Sequence, residues 1–122
     1  MASRFIRIAV AYLVIGGTLG LYMGITRNFV LMPVHAHILL AGWLSLAMAG
    51  VIYKHYPTAS STRLASCHFW LHNLGLPAFM IGLAYMMTNG HELPGGVLPI
   101  GATAVLLGFY CFALNVWRTV RD

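Results

Sequence analysis

The chain has 122 residues, of which 60% are hydrophobic and 7% charged, and it carries a formal charge of +5. A soluble domain holds about 25% charged residues, so this composition excludes a soluble enzyme, a disordered tail and a disulfide scaffold, and the length allows one domain at most. The positive balance does not mark a nucleic-acid binder, because the basic residues stand at the edges of long apolar runs.

Four apolar segments follow one another, at about 5–25, 34–53, 67–88 and 100–120. Each approaches the roughly 20 residues that cross about 30 Å of hydrocarbon. In lipid the backbone has no partner but itself, so helices are expected. The first segment begins beside Arg4 and Arg7 and is too long for a signal-peptide core. Gly16, Gly20 and Gly24 line one of its faces, a pattern that brings helices close, read here as packing within the protein. Pro33 and Pro99 open the second and fourth segments, where a helix loses no donor. Pro77, inside the third, is expected to kink it and to free a carbonyl near Asn73. Cys67 and Cys111 fall in apolar runs and read as buried, inert thiols rather than a disulfide. The expected fold is all-α, an integral membrane four-helix bundle forming a single domain over 1–122.

Arg4, Arg7, Lys54, Arg63, Arg118 and Arg121 lie on one side of this arrangement and Arg27 alone on the other. The positive-inside rule then puts both termini in the cytoplasm, in a topology that suits a bacterial inner membrane, with lipid as the first partner.

Neither Glu92 nor Asp122 lies within an apolar segment, so histidine supplies the ionisable groups there: His35 and His37 in the second, His68 and His72 in the third. Ionisable residues at such depth carry function by default. At about 100° per residue, His35 and His37 project roughly 200° apart, so they serve two sites rather than one ion. Neutral imidazole ligates iron, copper or zinc; the plainer reading has both rings bonded to water or to carbonyls. His68 and His72 share a face at a spacing that suits one metal ion. No third ligand accompanies them. The plainer reading, weighted at about two to one, sets His68 at the water boundary and His72 on the carbonyl loosened by Pro77. Counted from the segment ends, His37 and His72 are roughly 18 Å apart in depth, too far to clamp one haem.

RIAVAYLVIGGTLGLYMGI, PVHAHILLAGWLSLAMAGVIY and TRLASCHFWLHNLGLPAFMIGLAY resemble the first, second and third helices of the catalytic subunit of haem–copper oxidases and nitric oxide reductases, and the order of elements resembles its first four spans. The resemblance covers most of this chain and only part of that subunit, which repeats such a four-helix unit three times. The units that hold the copper and high-spin haem ligands are absent, so no catalytic residue is carried over. The resemblance implies that a second-helix histidine is an axial ligand of low-spin haem. It also implies a use for His35-Ala36-His37, the form of the doublet that binds two haems in the family's third unit. Three copies about an axis would imitate the full subunit, with haem b between protomers, His37 of one chain and His35 of the next as ligands. Arg27 is then a candidate partner of the propionates, and Tyr22 and Trp43 candidate pocket walls.

The expected function is a membrane haem b protein, homotrimeric, for electron transfer or diatomic gas binding, with a periplasmic cytochrome or quinol as redox partner. A cofactor-free accessory or assembly subunit of a respiratory complex is the second reading. Copper handling through His35, His37, His91 and Met32 is the third.

Overall fold

The computed structural model describes residues 1–121. Helix α1 spans Ala2–Thr26 and α2 spans Met32–His55. A single turn, α3, covers Pro57–Ser60. It leads into α4, Arg63–Asn89, and α5 closes the chain at Val97–Thr119. No strand occurs among the described residues. The four apolar segments fall within α1, α2, α4 and α5, the last overshooting α5 by one residue.

Local chemistry sets the boundaries. Arg27, in the left-handed region at φ 53, stops α1. Thr62 caps α4 by accepting the Ala65 N–H on its Oγ1 at 3.1 Å, satisfying a first-turn donor. Gly90, with φ 76, closes the same helix as a residue without Cβ does at little cost. Helix α4 runs uninterrupted through Pro77.

Two antiparallel hairpins, α1 with α2 and α4 with α5, pack on each other. They are glycine-lined in different ways. Between α4 and α5 the helix backbones themselves touch: a Cβ on Gly101 would strike the backbone of Phe79, and one on Gly82 would lie 2.8 Å from Leu98 Cα. Between α1 and α2 three glycines receive side chains instead. Gly16 takes Leu39 and Ile38, Gly20 takes His35, and Gly42 takes Tyr12. The glycine face of α1 therefore packs within the protein at Gly16 and Gly20, whereas Gly24 meets nothing. One apolar cluster joins Phe5, Leu46, Tyr53 and Phe69; the other joins Val34, Ile38, Leu76, Met80, Leu83 and Val105.

Helices α1, α2 and α5 are long and apolar enough to cross a membrane. Their outward faces carry Val14, Leu21, Ile25, Leu40, Met48, Ile100, Tyr110 and Trp117 in exposed positions, a surface that water would not tolerate. Helix α4 is the least apolar of the four long helices and the most enclosed. Nine of its residues are buried against four each on α1 and α5, so its histidines find protein where the others find the exterior. The start of α1 meets the end of α2, where Gly50 faces Ile6 and Ala2. The end of α5 is tied to α3 by Asn115 Nδ2–H donating to Ala59 O at 2.8 Å. Arg4, Arg7, Lys54, Arg63 and Arg118 thus gather at one end, which we call the inner end, and Arg27 lies at the other.

Both cysteines are free thiols. The expected burial does not hold, for Cys67 is exposed and Cys111 half-buried. The buried stripe of α4 runs through Ala65, His68, Phe69 and His72, and Cys67 points off its opposite flank.

Candidate functional site

The second helix winds as a π-helix from Ile38 to Leu44. At its end the Ser45 N–H reaches back five residues to Leu40 O, and Ser45 Oγ–H donates to the same carbonyl at 2.8 Å. In a regular helix that N–H would bond Ala41 O. The carbonyl of Ala41 is left for a side chain, and His72 Nε2–H donates to it from α4 at 2.8 Å. Local π turns are common where a helix serves a site.

That single bond sets the polarity of everything behind it. A carbonyl only accepts, so His72 Nε2 carries the hydrogen and Nδ1 of the neutral ring is the acceptor. His68 Nε2–H therefore donates to His72 Nδ1, at 3.2 Å. His68 Nδ1 is then the acceptor for Tyr53 O–H, at 3.0 Å. The result is a one-way chain from Tyr53 through His68 and His72 to Ala41 O. Tyr53, His68 and His72 are each no more than 1% exposed. Phe5 and Phe112 flank the His68 ring with centroids 4.9 Å away, and Phe109 meets His72 edge-on at 5.0 Å.

Toward the outer end, His35 and His37 leave α2 on opposite flanks. His35 lies in the notch over Gly20 of α1 and donates Nδ1–H to Gly16 O at 2.8 Å. His37 donates Nδ1–H to Pro33 O at 2.7 Å and sets its ring edge-on to Phe79 of α4, centroids 5.1 Å apart. Both rings are half-buried, and each uses only Nδ1. The one buried side-chain nitrogen or oxygen without a partner among the described residues is Asn73 Oδ1, so Nε2 of His35 and Nε2 of His37 both reach the surface. An imidazole that gives Nδ1–H to a backbone carbonyl and keeps Nε2 as an open lone pair is held as metal-ligating histidines are. Arg27 is exposed at the same end.

The sequence-derived residues thus fall into two groups. His35 and His37 diverge as their spacing requires. His68 and His72 converge, with Tyr53 as an unforeseen third member. His68 does not sit at the water boundary, and the carbonyl that takes His72 belongs to Ala41 rather than to Asn73. The depth estimate also fails: Ala41 is four residues, about 6 Å, along α2 from His37, so His72 lies close below His37 rather than roughly 18 Å away. The apolar run understated α4, whose helix begins at Arg63. With Nε2 bonded to Ala41 O, His72 offers no outward ligand nitrogen. Tyr22 is exposed toward the outer end, while Trp43 packs with the Phe5 cluster and so does not wall the outer pair. Among the described residues no three His, Cys, Asp or Glu side chains gather to hold a metal ion. No protein-family model, curated protein or solved structure matches the chain.

Proposed function

We propose that the protein is a four-span integral membrane protein of the bacterial inner membrane, with both termini cytoplasmic, that carries electrons through haem b held between copies of itself. It is related on this reading to one four-helix unit of a haem–copper oxidase catalytic subunit. The observation that carries the proposal is the pair of surface-reaching Nε2 atoms, each on a ring whose Nδ1–H is anchored to a backbone carbonyl. Two rings on opposite flanks of one helix cannot meet at one iron, so each must look to a neighbouring copy. Contacts of that head-to-tail kind close into a ring, most simply here a homotrimer with His37 of one copy and His35 of the next as ligands.

Held by His35 and His37 of neighbouring copies, haem b would supply a one-electron iron centre suited to electron transfer. His35 and His37 bind and orient; their carbonyl anchors at Gly16 and Pro33 fix which nitrogen faces outward. Arg27, exposed at the outer end, would pair with the carboxylates of the haem as a bidentate donor. The apolar outward faces of α1 and α2 exclude water from the ligand nitrogens. A periplasmic cytochrome or a quinol is the redox partner. The orientation is supported by the five basic residues at the inner helix ends against Arg27 at the other.

The test is the visible spectrum of the detergent-purified protein, oxidised and reduced, with the mass of the intact assembly. Sharp reduced α and Soret bands are expected, and His35→Ala and His37→Ala should each abolish the low-spin signature. Retention of the low-spin bands in either variant overturns the assignment. A wild-type protein that stays colourless after reconstitution with haem becomes a cofactor-free accessory subunit.

A further inference from the structure

The Tyr53–His68–His72 chain takes no part in holding haem on the reading above. Two imidazoles in series, wholly buried in the depth of a membrane protein, are an expensive way to join helices, since amides or apolar contacts would do so without a titratable group. We propose that these three residues form a proton relay, which loads one proton from the inner end onto His72 as the counter-charge for the electron carried one turn above, at His37. The proposal rests on the haem reading.

The geometry permits one transfer without breaking the chain. In the resting state every hydrogen points toward Ala41 O. Tyr53 O–H passes its proton to His68 Nδ1, while His68 Nε2–H passes its own to His72 Nδ1. The Tyr53 oxygen takes a replacement proton from the inner end, where Asn115 and Thr62 lie in a polar cluster linked by Thr62 Oγ1–H donating to Asn115 Oδ1 at 2.8 Å. At the end His68 is again neutral, with its hydrogen moved to Nδ1. His72 is an imidazolium that donates Nδ1–H to His68 Nε2 and keeps Nε2–H on Ala41 O. One proton has entered, one positive charge sits on His72, and both bonds that His72 makes survive inverted or unchanged. The electron comes from the one-electron donor that reduces the iron, so charge balances at one proton per electron.

The surroundings fix where a loaded proton would sit. The π turn aims the Ala41 carbonyl, an acceptor with no competing helix N–H from Ser45, at the nitrogen that would carry the charge. The titratable groups that face the chain from the packed elements are Tyr12 of α1, whose ring lies against Gly42 beside Ala41, and Cys111 of α5 next to Tyr53. His37 of α2 stands one turn above, and α3 contributes none. No carboxylate, lysine or arginine is among these groups, so on the haem reading the charge nearest to a proton on His72 is that of the electron.

The experiment is a spectroelectrochemical titration of the haem-loaded protein from pH 5.5 to 8.5. A one-to-one coupling shifts the reduced-to-oxidised ratio at fixed potential tenfold per pH unit over part of that range, about 59 mV for a one-electron couple. His72→Gln, which keeps a donor for Ala41 O but takes no proton, is expected to flatten the slope with the haem bands intact. His55→Gln, at the exposed end of α2, should leave the slope unchanged. Tyr53→Phe provides a variant that leaves both imidazoles in place: its equilibrium slope should persist while proton uptake after rapid reduction slows by about tenfold or more. In ¹⁵N spectra of histidine-labelled protein, acidification should convert His72 from the Nε2–H form to the doubly protonated ring as His68 changes tautomer. A coloured protein with a flat wild-type slope overturns the relay alone; a colourless protein overturns the haem reading and the counter-charge role with it.

Discussion

The two histidine pairs of this chain differ in what their second nitrogen does. His35 and His37 each bond one carbonyl and leave Nε2 open at the surface. In the other pair both nitrogens of each ring are occupied, His68 by Tyr53 and His72, and His72 by His68 and Ala41 O. The same residue type therefore presents an unbonded nitrogen in one place and a hydrogen-bonded chain in the other. The cause lies in what surrounds each ring rather than in the histidines. The outer rings each meet one backbone carbonyl, Gly16 O of α1 for His35 and Pro33 O of α2 itself for His37, whereas the inner rings face a tyrosine on one side and the Ala41 carbonyl on the other.

The comparison is broken most sharply by replacement of His72 with leucine. The variant removes two hydrogen bonds and strands the His68 N–H and the Ala41 carbonyl inside the protein, at a cost of about 3 kcal/mol when each buried orphan costs about 1–3 kcal/mol. His35→Leu removes one bond at a half-buried ring and should cost less than about 1 kcal/mol, since membrane hydrogen bonds average about 0.6 kcal/mol. Unfolding in mixed micelles compares the two. Equal losses, or a larger loss for His35, would erase the division between a structural chain and a ligand pair.

Gly20→Ala sharpens the same division from the other side. An added Cβ would stand 2.7 Å from His35 Cε1, so the imidazole must swing away and its Nδ1–H must leave Gly16 O. The glycine faces a side chain rather than a backbone, so the helix pair survives. The expectation is a roughly tenfold weaker hold on haem, equivalent to about 1.4 kcal/mol, with unfolding nearly unchanged. Haem titration followed in the Soret band checks it, and an unaltered affinity would detach His35 from the site.

These contrasts also mark what the sequence could reveal. Apolar run length located the four long helices because outward apolar residues such as Val14, Leu40 and Trp117 obey a rule of composition, and the opposed projection of His35 and His37 followed from helical spacing alone. Convergence of Tyr53, His68 and His72 was not legible, since it depends on the register of α2 against α4. The register in turn depends on a π turn in ILLAGWL, whose residues carry no proline and no unusual propensity to announce it. The depth of His72 was misjudged for a related reason: the first turn of α4 contains Arg63 and Ser66, which a hydropathy profile discards and a helix does not.

The smallest effect is the most local one, at Ser45. Its N–H and its hydroxyl both bond Leu40 O, and together they hold the π turn against the regular alternative in which Ser45 N–H returns to Ala41 O. Alanine at this position deletes one exposed bond, worth about 0.5 kcal/mol on the membrane scale, and removes the clamp. Ala41 O then divides between the Ser45 N–H and His72, and the loss should be read at His72 rather than in global stability. A changed ¹⁵N shift of His72 Nε2, with the low-spin spectrum preserved, makes the serine the element that exposes the carbonyl. An unchanged shift assigns that role to the packing of Gly42 on Tyr12, where the nearest ring atom would lie 2.6 Å from an added Cβ, and makes Gly42→Ala the substitution that severs His72 from α2.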